Sequence, residues 1–247
     1  MKMGVAVLTV GLLAGTAVQS QAQAIQLRFT PKVGQVTRYR MMTRMWSAAD
    51  TTAAPTMQMS VYQTQTVMGM DAGNYVVKNV TDSSVMAGGA GGRPGMGGDV
   101  MRGMAVTVTM DPRGHVISTQ VTPPPGLPPF VANMMTKNSG SGDNPRNRVW
   151  PEGTINPGDT WTDSMSVSTG TGRARRQVVL HVTYKYERLE HQAGDRVAII
   201  SMNGSSEGTS MTGAMAVDLD ASRMVRMENN LAQGQGGLTR MTMDALP

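Results

Sequence analysis

The chain has 247 residues, a formal net charge of +5, 40% hydrophobic and 4% aromatic residues, and no cysteine. The missing thiols exclude disulfides and thiol chemistry, and the sparse aromatics leave a nucleic-acid surface without stacking platforms, so no nucleic-acid partner is expected. A domain of this length buries roughly 70% of its extended surface, enough for burial and strand pairing to hold one fold without staples.

The opening segment, MKMGVAVLTVGLLAGTAVQSQAQA, places Lys2 before an apolar run from Met3 to about Val18 and ends on Ala22-Gln23-Ala24. That order predicts a secretory signal peptide over residues 1–24, cleaved after Ala24, and a mature domain over 25–247 that is periplasmic or secreted. The run is shorter than the roughly 20 residues a spanning helix needs, so a chain that does not span the membrane is expected.

Past the leader the sequence alternates with period 2. Met57, Met59 and Val61 alternate with Gln58, Ser60 and Tyr62; Met104, Val106, Val108 and Met110 alternate with Ala105, Thr107 and Thr109. The longest run sets Val178, Leu180, Val182, Tyr184 and Tyr186 against Val179, His181, Thr183 and Lys185. Turn chemistry separates the runs at DPRG (Asp111 to Gly114), QAGD (Gln192 to Asp195) and DASR (Asp220 to Arg223). The glycine-rich stretch Ala87 to Asp99 lacks the spacing and the lysine of a phosphate cradle and reads as a loose hairpin loop. Arg173, Arg175 and Arg176 read as a solvated hairpin end. A Pro/Gly-rich connection over 122–153 breaks the alternation and allows one short helix near 130–137, whose Phe130, Met134 and Met135 would close over the sheet or pack as a satellite cluster.

The pattern predicts an all-β or nearly all-β antiparallel chain built from two similar halves, about 25–121 and 154–247; the expected architecture is a strongly curved sheet or half-barrel. Gly34 matches Gly158, Gly73 matches Gly194 and Asp111 matches Asp220, at intervals of 124, 121 and 109 residues. Val106, Val108 and Met110 then match Met215, Val217 and Leu219, and Val116 matches Val225. Either the halves repeat one unit or similar hairpins look alike.

Histidine-based catalytic patterns are missing. His115, His181 and His191 show no H-x-x-x-H spacing, and Asp111 beside His115 is explained by the turn itself. A non-enzymatic protein without cofactor or metal site is expected. The compositional anomaly is methionine, 24 residues against 2 phenylalanines. Thioether side chains suit an adaptable wall that repacks around varied guests. The candidate ligand-binding residues are therefore Met57, Met59, Met104, Val106, Val108, Val182, Tyr184 and Met215, facing a hydrophobic small molecule or lipid. A structural or protein-interaction role in the bacterial envelope is the alternative. Periplasmic copper binding ranks below both, because the methionines spread from Met41 to Met243 and the histidines stand apart from the M-x-M pairs.

Two segments, FTPKVGQVTRY (Phe29 to Tyr39) and PEGTINPGDTW (Pro151 to Trp161), resemble an uncharacterised family of exported, β-rich bacterial envelope proteins. The outline is also similar to that of periplasmic lipoprotein carriers, which implies a curved sheet wrapped around an apolar cavity. The resemblance supplies no catalytic residues.

Overall fold

The computed structural model describes residues 23–48, 51–88, 101–127, 129, 130, 132, 133, 136, 150–169, 176–234 and 236–247. Residues 1–22 of the expected leader, most of the glycine-rich loop, Met134, Met135, Arg173 and Arg175 lie outside them.

Eleven strands form one antiparallel sheet: β1 (Val36–Trp46), β2 (Met57–Asp71), β3 (Asn74–Gly88), β4 (Ala105–Met110), β5 (Val116–Thr122), β6 (Thr160–Thr169), β7 (Arg176–Gln192), β8 (Asp195–Ser206), β9 (Thr209–Asp218), β10 (Arg223–Gln233) and β11 (Leu238–Leu246). Their order is β5-β4-β3-β2-β1-β11-β10-β9-β8-β7-β6. The sheet is strongly curved, half-barrel-like and not closed, as expected. The described residues between 129 and 136 are helical, again as expected, but Phe130 is 68% exposed and so closes over nothing.

Two meanders run in the same sense, β1 to β5 and β6 to β10, and β11 joins them by pairing with both β1 and β10. Each begins with a turn of the same construction. Gln35 N–H donates to Lys32 O at 2.9 Å and Asp159 N–H to Asn156 O at 3.0 Å. The Gln35 and Asp159 side chains accept from the Lys32 and Asn156 N–H at 3.2 and 2.8 Å. Gly34 N–H donates to Val67 O at 2.8 Å, as Gly158 N–H does to Tyr186 O at 2.7 Å. Each long hairpin then turns through two residues of positive φ, Ala72-Gly73 and Ala193-Gly194, the backbone that a tight two-residue loop requires.

The register of the next pairing also agrees. Val77 faces Val108, and Ala198 faces Val217, at the intervals of 121 and 109 residues read from the sequence. The return strands depart from that match. Val108 pairs with Thr119, whereas Val217 pairs with Met224, so Val116 and Val225 are not equivalent. The second turn is shorter, and its capping carboxylate moves with it. Asp111 Oδ1 accepts from Arg113 N–H and His115 N–H at 2.8 and 2.9 Å. In the second half the corresponding acceptor is Asp218, while Asp220 turns outward to Arg196.

Strand parity separates an inner from an outer face. Thr37, Tyr39, Val61, Val67, Tyr75, Val77, Val108, Val182, Tyr184, Tyr186, Ile200, Met202 and Met215 all share the inner face by register, and all are buried. The outer face carries the charges of the central strands, with weak pairs such as Arg226–Asp244 at 3.7 Å and Arg240–Glu228 at 3.9 Å.

The inner face of the second half is a filled core. Leu180, Val182, Tyr186, Ala198 and Ile200 are 0% exposed, and Ile25, Leu27, Trp150 and Ile155 pack with them. Each such aliphatic side chain contributes roughly 1.5 to 3 kcal/mol by leaving water. Ile25 and Ile155 hold that cover by exchanging backbone hydrogen bonds at 2.9 and 2.8 Å. Trp150 also ties the two sheet edges together at this end. Its N–H donates to Arg113 O at 2.8 Å beside β5, and its ring meets Trp161 of β6 edge-on at 6.5 Å.

Candidate functional site

The expected ligand residues divide between two environments. Val182, Tyr184 and Met215 are 0, 2 and 2% exposed and belong to the filled core, with Tyr184 stacked on Trp161 at 5.4 Å. Val108, 3% exposed, pairs with Val77 of the smaller cluster of Val67, Tyr75 and Val77, where Phe29 sits edge-on to Tyr75 at 5.5 Å. Met57, Met59, Met104 and Val106 are half-buried on the inner face of the first half. The structure therefore leaves four of the eight half-buried, Met57 and Met59 on β2 apart from Met104 and Val106 at β4, and places the other four in packed interior.

Cross-strand register adds residues that sequence reasoning passed over. Met41 pairs with Met243, Met243 with Met227, and Met227 with Met215, so four methionines from β1, β11, β10 and β9 form one unbroken row on the inner face. Met41, Met243 and Met227 are half-buried, and Met215 carries the row into the core. A second row runs Met59, Thr43, Met241, Asn229, Gly213, Met202. Only the odd–even parity of Met41 and of the pair Met241 and Met243 hinted at this in sequence. The order of the strands was not readable.

Polar groups interrupt the wall at a few places. Gln65 Nε2 donates to Asn79 Oδ1 at 3.1 Å on the inner face, beside buried Thr37 and Thr81. Asn229 is 7% exposed, and its Oδ1 has no hydrogen-bond partner among the described residues. It lies over Gly213, where a Cβ would collide with both that oxygen and the Glu228 carbonyl. Tyr39, 3% exposed, is pushed up to about 12 chiefly by burial; the Arg223 charge and hydrogen bonds with Thr37 and the Met224 backbone pull the other way. Asp163 is the inward carboxylate on edge strand β6, a placement that discourages edge-to-edge pairing. Among the described residues no three His, Cys, Asp or Glu gather as a metal site, and no helix is long and apolar enough to cross a membrane.

No protein-family model and no curated protein matches the chain. The fold is similar to the crystal structure of the hypothetical lipoprotein YmcC from Escherichia coli, at 14% identity and a TM-score of 0.33 over 87% of this chain and 88% of that one.

Proposed function

We propose that this is an exported, non-enzymatic binding protein that holds an apolar, lipid-like ligand against the inner face of its half-barrel. The observation that supports this reading is the half-buried row of Met41, Met243 and Met227, on the same face as half-buried Met57, Met59, Met104 and Val106. A thioether wall loses up to about 2 kcal/mol of rotamer freedom per residue when fixed, close to what its burial contributes, so it stays adaptable until a guest packs on it. The leader MKMGVAVLTVGLLAGTAVQSQAQA supports export to the periplasm or beyond, with cleavage after Ala24 checked by intact mass.

The sealed inner face of the second half supports the alternative, a structural or interaction protein of the envelope in which methionine merely fills a core. Uptake of a fluorescent apolar probe at micromolar protein separates the two. On the binding reading the probe brightens, lipid displaces it, and Met41→Asp or Met243→Asp abolishes uptake while Met68→Asp, at an exposed position, does not. A folded protein that takes up no probe would leave the envelope role.

A further inference from the structure

Methionines far apart in the chain become neighbours where β1, β2 and β3 end, away from the Trp150 closure. Met45 pairs with Met57, and Met59 pairs with Met86, all four on the inner face. Directly paired residues stand about 5 Å apart at Cβ, and Met57 lies about 6.6 Å from Met59 along its strand. Long, freely rotating side chains span those gaps, so the sulfurs of Met45, Met57 and Met59 can converge on one point. Opposite Met57 stands Gly88, which contributes no side chain to fill the space. Nothing larger fits there: Gly88 has φ +83°, and a Cβ would come 2.6 Å from the Thr56 carbonyl oxygen. Met45, Met57 and Met59 are half-buried and Met86 is 49% exposed, which leaves the thioethers within reach of solvent.

We propose that Met45, Met57 and Met59, with Met86 at the rim, form a thioether site for a soft monovalent cation, Cu(I). Neutral sulfur donors select Cu(I) over the hard cations that prefer oxygen ligands. The neighbouring charge on β1, Arg44, faces the other side of the sheet, where its Nε donates to Gln58 Oε1 at 3.2 Å. The separation of the methionines along the chain argued against copper; strand register removes that separation. This site is separable from the apolar-ligand reading, because leucine still offers apolar surface but has no donor atom for a metal.

Titration of the full chain with Ag(I), a redox-inert stand-in, in chloride-free buffer tests the site, with Cu(I) competed against a chromogenic chelator as the second arm. The tightest class of sites on the wild-type chain is expected to disappear in the triple variant Met45→Leu, Met57→Leu, Met59→Leu, weakening binding about 100-fold as three donors are lost. Those swaps nearly conserve volume, so the fold persists. Paired Met68→Leu and Met70→Leu, at exposed positions, leave the tight class intact. Equal Ag(I) binding by wild type and triple variant, or no micromolar binding by either, overturns the site. Should the triple variant not fold, X-ray absorption of the wild-type chain with one equivalent of Cu(I) decides: three sulfur neighbours support the site, and nitrogen or oxygen neighbours refute it. Failure of probe uptake alongside retained metal binding counts only against the apolar-ligand function.

Discussion

Asp218 and Arg223 close the β9–β10 turn from within: the Arg223 Nε lies 3.2 Å from a carboxylate whose side chain is 1% exposed. The other carboxylate oxygen accepts from the Asp220 and Ala221 N–H groups at 3.0 and 2.9 Å. Next to this turn the N-terminal segment is anchored, with Thr30 Oγ1 at 3.1 Å from Ser222 Oγ and Gln35 Nε2 donating to Ala221 O at 2.9 Å. One ion pair, its carboxylate buried and its guanidinium half-buried, thus shapes the turn that receives the N-terminal segment running toward β1.

Arg223→Met leaves the Asp218 carboxylate buried without its countercharge, and about 3 kcal/mol of stability is expected to go with it. Asp218→Asn keeps one acceptor oxygen for the turn and costs about 1 to 2 kcal/mol. Urea unfolding of both variants measures the two losses. If Arg223→Met proves the milder change, the pair is not the organising contact of this turn.

Gly34→Ala and Gly158→Ala test the equivalence of the halves. Both glycines have positive φ, +83° and +97°, and neither has a heavy atom within 4 Å of an added Cβ, so only the backbone conformation is penalised. Each substitution is expected to cost about 1 to 2 kcal/mol. Gly213→Ala differs, because its Cβ collides with the Glu228 carbonyl and Asn229, and about 3 kcal/mol or more is expected. Thermal or urea unfolding of the three variants ranks them. A Gly213→Ala protein as stable as Gly34→Ala would mean that β9 and β10 are not packed as described.

Tyr39 makes the protein sensitive to alkali. Its hydroxyl is held up to about 12 in the folded chain, against 10.0 ordinarily. Between those pH values the unfolded chain has released a proton that the folded chain keeps, so stability falls as pH rises. Below pH 10 the group contributes no slope. Across the window Tyr39 accounts for a loss of roughly 2 to 3 kcal/mol, and Tyr39→Phe should make the decline shallower. Unfolding free energies measured from pH 9 to 12 for both proteins provide the comparison, and parallel curves would remove Tyr39 as the cause.

Strand alternation, the two-residue hairpin tips at Gly73 and Gly194, and the matched turns at Gly34 and Gly158 were legible because they are local demands: side-chain parity and positive φ act within a few residues. The same parity put Val108 and Val217 on one face before any strand order was known. Which acid caps the second turn was not legible, since Asp218 and Asp220 both suit a turn and only the length of the β9–β10 connection assigns the buried role to Asp218. Nor did anything in the sequence show that Val182, Tyr184 and Met215 would be sealed beneath Ile25, Leu27, Trp150 and Ile155 while Met57 and Met59 stayed half-open. Burial depends on what lies across the sheet, and here that cover comes from segments more than 100 residues apart in sequence. The sequence by itself thus determined the strands, their turns and their inward residues. The pairing of β1 with β11 was left to the tertiary structure, because long-range register depends on packing across the whole sheet; that pairing joined the halves and drew methionines from both ends of the chain into one row.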